Sequence, residues 1–322
     1  MLHLIRQATI NSKIPNTLLY LHEKVNSKLR IGTRGSKLAL WQAHFTQEKL
    51  SAIGIESELV VIKTTGDQIQ HLSFDKIEGK GFFTKEIEDS LLRGEIDLAV
   101  HSMKDLPTNG PEGLVISAVS YREDPSDILL INKKIADQGK LLQVPENAKI
   151  GTSSSRRKGQ LIDFRSDLLM VDIRGNVPTR IKKLADGDFD AIILASAGLN
   201  RLRLDLSDFI MVRFDPTELI PAPAQGVLAW QTMADDHQTR KILMGIHHNE
   251  VADVTNVERK VLNLMNGGCQ MPLGVYCYKD KIGNYHVHAA YAKRFNDPMV
   301  RVSVSSTTHF QLAEKVVEKL CL

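Results

Sequence analysis

Apolar residues along this chain keep two rhythms that alternate from about residue 29 to about residue 215. Short apolar runs at 29–33, 58–62 and 96–100 read as strands, the last of them buried. Between them Ser36 stands before a stretch whose apolar positions Leu38, Leu40, Trp41 and Leu50 recur near helical spacing, and 84–92 reads as a second helix. A second block repeats the style, with strands at 149–151, 168–173 and 191–195 and helices at 154–163 and 176–184. Strand and helix alternating in this way predict parallel sheets covered by helices on both faces. The expected fold class is therefore α/β: two α/β domains, 29–121 and 126–215, with a cleft between them.

The rhythm changes after about residue 245. Residues 247–265 read as one long helix that Gly267-Gly268 ends in a left-handed turn. Beyond it, 275–278, 285–289 and 300–304 alternate with period two, the pattern of an antiparallel sheet with one solvated face, and 312–320 closes the chain as an amphipathic helix. These elements predict a third, smaller α+β domain over 246–322. The run Ile220-Pro221-Ala222-Pro223-Ala224-Gln225-Gly226 marks a stiff crossover returning to the first domain, which about 217–242 would complete. Residues 1–28 carry Arg6 and Lys13 and no acid before Glu23, but no clear apolar core or cleavage site, so they read as an N-terminal extension rather than a presequence.

Composition narrows the function classes. Hydrophobic content of 43% and charged content of 25% are those of an ordinary globular chain, and a net charge of +3 gives no support to a broad nucleic-acid surface. No apolar run approaches the roughly 18 residues of a membrane-spanning helix. Three cysteines, Cys269, Cys277 and Cys321, with no CxxC pair, argue against a disulfide framework or a structural zinc site and favour a reducing cytoplasm. Nothing demands a metal, and a monomer is the default expectation.

The polar signals gather where strands end. Arg34 and Ser36 follow the first strand; His101-Ser102-Met103-Lys104-Asp105 follows the strand at 96–100; Gly151 to Arg157 and Arg174 to Arg180 each span a strand-to-helix turn. Carboxyl ends of strands in open α/β sheets are where ligands bind, and helix N-termini offer free N–H groups to anions. Basic turns of this kind predict a pocket for a substrate with several carboxylates, which the planar arginine fork meets bidentately. Asp105 stands out as an acid facing that pocket, suited either to stabilising a developing cation or to capping a turn. Cys269 sits in Gly267-Gly268-Cys269-Gln270-Met271-Pro272-Leu273-Gly274, a glycine-hinged frame that suits a reachable thiol as well as a packed one. Gly79-Lys80-Gly81 lies in a polar stretch, 69–81, that would serve as a mobile lid.

These motifs resemble the hydroxymethylbilane synthase (porphobilinogen deaminase) family. The resemblance rests on Arg30-Ile31-Gly32-Thr33-Arg34-Gly35-Ser36, Ala99-Val100-His101-Ser102-Met103-Lys104-Asp105-Leu106-Pro107, Gly151-Thr152-Ser153-Ser154 with Arg156-Arg157, Arg174-Gly175-Asn176-Val177 with Thr179-Arg180, and the Cys269 loop, in order from about 29 to about 275. It implies two periplasmic-binding-protein-like domains with a third added, and a dipyrromethane cofactor held as a thioether on Cys269. It implies condensation of four porphobilinogen molecules head to tail, with loss of ammonia, into linear hydroxymethylbilane. Asp105 matches the catalytic aspartate. Lys80, Lys104, Ser36, Ser154, Arg156, Arg157 and Arg174 match cofactor-binding positions, and Arg34, Arg180 and Arg201 substrate-binding ones. Cys277 and Cys321 are expected to be structural, in a strand and in the last helix. Ser155, Glu78 and Pro223-Ala224 depart from the common family pattern without touching a matched catalytic position. Two other classes compete: a non-catalytic polycarboxylate-binding protein, in which Cys269 would be dispensable, and a nucleic-acid binder using the arginine-rich turns, which would show a steep salt slope.

Overall fold

The structure, a computed structural model, describes residues 28–64, 84–268 and 270–322. Its strands form two five-stranded sheets and one three-stranded sheet. In the first sheet, β1 (Leu29–Thr33) lies parallel to β2 (Ser57–Val61) and to β3 (Leu98–Ser102), with Leu29 opposite Ser57 and Ile31 opposite Leu98. β4 (Leu114–Val119) and β5 (Asp127–Asn132) follow on either side of the connector 120–126. β5 is the first strand of the second sheet, with β6 (Lys149–Gly151), β7 (Leu169–Val171), β8 (Ala191–Ala195) and β9 (Phe209–Arg213). The chain then returns through 214–227 to place β10 (Leu228–Met233) in the first sheet.

The two sheets have matching orders, β2-β1-β3-β10-β4 and β7-β6-β8-β5-β9. They are mixed rather than parallel, which corrects the sequence expectation. β10 runs antiparallel to β3 and β4, and β5 antiparallel to β8 and β9. The cause is the connection. Parallel neighbours need a crossover element to carry the chain back, whereas β5 and β10 each enter directly from the other sheet with no α-helix before them.

Helices cover both faces. α1 (Lys37–Ala52) packs Ala43 and Leu50 on Ile31, Leu98, Val100 and Trp230, and α2 (Lys85–Leu92) seals the opposite face with Ile87 and Leu91 against Ala99 and Ile96. α3 (Ser155–Phe164), α4 (Val177–Ala185) and α5 (Ser196–Leu202) belong to the second sheet; Leu161 joins the core of Leu129, Ile150 and Ile193, and Leu184 and Leu199 join Leu130 and Ile192 on the other face. α6 (His237–Met244) returns over the first sheet, with Leu243 in its core.

The third unit is α7 (Asn249–Leu264) and α8 (Leu312–Leu320) on the antiparallel sheet β11 (Leu273–Lys279), β12 (Tyr285–Tyr291) and β13 (Val300–Ser306). Val257, Val261, Val275, Val287 and Val316 form its core together with Cys277. His248 lies before α7 as its cap, so the helix is shorter than 247–265. Its end also differs from the expectation. Asn266, not a glycine, takes the left-handed turn at φ +51. Gly267 is needed instead for space, because a Cβ there would lie 2.5 Å from Leu262 Cδ1. Cys321 follows α8 rather than lying in it and is exposed.

The third unit is tied to the others at β11 and at α7. Gly274 approaches the Ile220 carbonyl so closely that a Cβ would sit 2.4 Å from its oxygen, and Val275 N–H donates to Pro221 O at 3.0 Å. On α7, fully buried Glu258 accepts from Arg122 Nη1 at 2.6 Å, Ala224 N–H at 2.6 Å and Cys277 N–H at 2.7 Å. One carboxylate thus joins both inter-sheet connectors to β11.

Candidate active site

Ser36 caps its helix as the sequence indicates; Ser154, read as the first residue of the helix at 154–163, is instead its cap. Ser36 Oγ accepts from Ala39 N–H at 3.3 Å and Ser154 Oγ from Arg157 N–H at 3.5 Å. Each hydroxyl keeps its proton to donate to an anion at the helix start. The segment after β3 folds into one short helical turn, Met103–Asp105, which buries Met103 and Leu106 and leaves Asp105 exposed. Side chains at successive positions therefore split between core and cleft.

That turn is braced from the third unit. Arg259, on α7, donates from Nη1 to Met103 O at 3.2 Å and Leu106 O at 3.0 Å, and from Nη2 to Pro107 O at 2.8 Å. The guanidinium holds carbonyls on both sides of Asp105. The sequence reading missed Arg259, since its partners are backbone carbonyls about 150 positions earlier and leave no motif.

Lys104 and Asp105 meet the basic turns of the second sheet. Charge from Asp105, Arg157, Asp127 and Arg156 acts on Lys104, and charge from Arg157, Arg174 and Asp105 acts on Arg180. Five basic groups therefore share this region with two carboxylates. Burial lowers Lys104 to about 8, with Asp105 opposing and Arg157 assisting. Burial, then the like charges of Arg157 and Arg174, lowers Arg180 to about 10.

Arg156 and Arg157 are turned inward more than the sequence suggested. At 4% and 7% exposure, they clasp Asp127, Arg156 Nη1 at 2.8 Å from Oδ2 and Arg157 Nη2 at 2.7 Å from Oδ1. Burial alone would raise Asp127, but the two guanidiniums hold it well below the usual carboxylate range. Gln225 completes a chain across the cleft, donating to Asp127 Oδ1 at 2.9 Å and accepting from Lys104 Nζ at 3.3 Å. Neither Asp127 nor Gln225 figured among the expected site residues. The readable signal was an Arg-Arg pair at a helix start, which needs a buried counter-charge.

Arg34 follows β1 and its charge reaches buried His101, which burial lowers to about 4, so His101 is neutral. Arg174 is half-buried at the turn before α4, near Arg180, whose Nε donates to Gly175 O at 2.8 Å. Arg201 stands apart: it is 7% exposed, donates to Gly226 O at 2.7 Å and lies over the Trp41 ring, with Glu123 and Tyr121 as the ionisable groups acting on it. Lys80, Cys269, most of the N-terminal extension and the expected lid over 69–81 lie outside the described residues. Among the described residues no cluster of His, Cys, Asp and Glu suits a metal ion, and no helix is long and apolar enough to cross a membrane.

Comparison with known proteins bears on the same residues. Residues 29–241 match the family model described as "Porphobilinogen deaminase, dipyromethane cofactor binding domain". This chain belongs to the porphobilinogen deaminase family. Curated relatives named porphobilinogen deaminase include one from Trichlorobacter lovleyi, 47% identical over 251 residues covering 77% of this chain and 78% of the relative. Another, from Clostridium novyi, is 39% identical over 302 residues covering 91% of this chain and 99% of the relative. Distant solved structures include the Bordetella pertussis BvgS periplasmic VFT2 domain, 11% identical with a TM-score of 0.43 over 76% of this chain and 97% of that one. A periplasmic substrate-binding protein of an ABC transporter from Coxiella burnetii is 14% identical, with a TM-score of 0.42 over 70% and 95% of the two chains. The family-model match spans both five-stranded sheets and every basic turn described above and ends at residue 241, whereas the match to the Clostridium novyi relative, at 91% of this chain, extends across Cys269.

Proposed function

We propose that this protein is a hydroxymethylbilane synthase, condensing four porphobilinogen molecules into linear hydroxymethylbilane with release of ammonia, with Asp105 as its catalytic residue. The observation that carries the site is the exposed Asp105 carboxylate on a braced turn, among basic groups that outnumber the acids. Its surroundings suit a dipyrromethane cofactor, whose rings carry carboxylate arms. Positive charge is in surplus there, and Arg157 Nε is buried with no hydrogen-bond partner. Lys104, Arg156, Arg157, Arg174 and Ser154 would hold those arms, with Ser36 and Lys80, and Cys269 would anchor the cofactor through a thioether. When bound, the group supplies the nucleophilic pyrrole carbon to which substrate is joined.

The chain's own residues supply the rest. Arg34 and Arg180 orient the acetate and propionate of incoming porphobilinogen. Asp105 stabilises positive charge as it develops on the substrate when ammonia leaves, and accepts a hydrogen bond from the pyrrole N–H. A carboxylate also serves for the proton transfers that restore aromaticity. The backbone of that turn is fixed before substrate arrives, so little reorganisation accompanies charge development. We read the molecule as three domains, 29–121 with about 217–242, 126–215 and 246–322, acting as a monomer in the cytoplasm.

The experiment is the intact mass of the denatured protein beside a Cys269→Ser variant. An excess of two pyrrole units in the wild type alone supports the anchor. A wild type that gains no mass even after incubation with porphobilinogen overturns it.

A further inference from the structure

Away from the basic cleft, a cavity of about 430 Å³ opens where the connectors between the units converge. One wall is the last turns of α1, with Phe45, Lys49 and Ala52; the others are Ser120 and Tyr121 at the start of the 120–126 connector, and Ile246 to His248 between α6 and α7. Buried Trp230 contributes to the lining. The segment between α6 and α7 is pinned to the end of β4 at Val119: its N–H donates to His247 Nδ1 at 3.1 Å, and its carbonyl accepts from His248 N–H at 3.0 Å.

This pinning fixes the chemistry. His247 Nδ1 accepts from a backbone N–H, so in the neutral ring the proton sits on Nε2. His248 Nδ1 accepts from Val251 N–H at 3.4 Å, which sets the same tautomer. Burial and the neighbouring His248 lower His247, with Asp253 opposing, so the ring is a neutral donor. Ser120 Oγ is committed, donating to Tyr121 O and accepting from Leu228 N–H. Among the described residues Lys49 is the one formally charged residue in the lining, with Nζ 5.3 Å from the Phe45 ring centre, and Tyr121 meets Phe45 edge to face at 5.7 Å. The acids nearby, Glu48, Glu123 and Asp253, act on Tyr121 and His247 from outside the lining. The walls are thus apolar, with Phe45, Tyr121 and Trp230 beside Ala52, Ile53 and Ile246, and the side-chain groups of Lys49 and the two histidines are donors.

We propose that this cavity binds a small aromatic carboxylate, its ring against the wall that the Phe45–Tyr121 pair makes with Ala52 and Ile246 and its carboxylate on Lys49 and the histidine Nε2–H groups. Such a ligand would join α1 to both connectors and restrain the units relative to one another. The site shares no residue with the basic cleft, so it stands or falls independently of the function proposed above.

The test uses full-length protein and two fluorine-labelled probes, 4-fluorobenzoate and 4-fluorobenzamide, followed by fluorine NMR. Saturable binding of the benzoate is expected, about fivefold tighter than the amide, with that preference lost in Lys49→Met. Ala52→Trp, which fills the cavity from the exposed end of α1, should abolish binding while leaving basal activity unchanged. Lys104→Gln should leave benzoate binding intact, which separates this site from adsorption in the basic cleft. Occupancy should slow amide exchange at Val119. Equal affinity for the two probes, no saturable binding, or binding that survives Ala52→Trp or disappears in Lys104→Gln would overturn the proposal.

Discussion

Lys104 carries a lysine charge next to Asp105 while half-buried, and the two facts conflict. Burial favours its neutral form, so the ammonium titrates at about 8 instead of 10.5. Carboxylate binding needs the charged form, which is lost as pH rises through that value. We expect kcat/KM for porphobilinogen to fall above about pH 8, since this ratio reports the free enzyme's ionisations. Lys104→Arg should remove that alkaline limb, because arginine stays protonated; a pH–rate profile of both proteins checks it. Asp105→Asn keeps the shape and removes the charge, so kcat should drop about 10²–10³-fold, measured by ammonia release, with the thermal midpoint nearly unchanged. At this scale the sequence was legible where neighbours in one short motif stay neighbours in space, as Lys104 and Asp105 do beside the basic turns. It was not legible where a role depends on an unrelated residue folding against it. The inward rotation of Arg156 and Arg157 follows from Asp127, which begins an apolar strand and gives no local sign of pairing.

Secondary elements were largely readable, because period and caps are local properties: β1, β6, β8 and α8 coincide with the expected spans. Strand direction was not, since it depends on whether a helix intervenes before the strand rejoins a sheet, and the irregular connectors before β5 and β10 hid this. The end of α7 shows the same limit. A glycine pair suggested a left-handed turn, but Asn266 takes that turn and Gly267 is needed for its close approach to Leu262. From the third unit, α7 reaches the candidate site through Arg259. Its guanidinium makes three bonds to carbonyls of the turn bearing Asp105. Arg259→Ala should lower kcat by about tenfold, by loosening a turn whose geometry matters to within tenths of an ångström. KM should change much less, which steady-state kinetics on the folded variant will separate.

Across the whole molecule, Glu258 is where three units meet. Its carboxylate is fully buried and takes Arg122, Ala224 N–H and Cys277 N–H. Glu258→Ala would strand the Arg122 charge and two backbone donors, a loss of about 3–5 kcal/mol. Urea unfolding should show a lower midpoint, and a second transition as the α7–α8 unit melts apart from the rest. The resemblance to a known family conveyed this three-part architecture, but not how the parts are fastened, since the fasteners lie in connectors of little local pattern. The placing of β10 has a further consequence. The first sheet is numbered first in the chain, yet its fourth strand in spatial order is made only after the entire second sheet. On a translating ribosome the amino-terminal half therefore emerges with the edges of β3 and β4 unpaired, and waits for Leu228–Met233. Synthesis order and assembly order differ: the half born second is the first that can close, and the half born first depends on it.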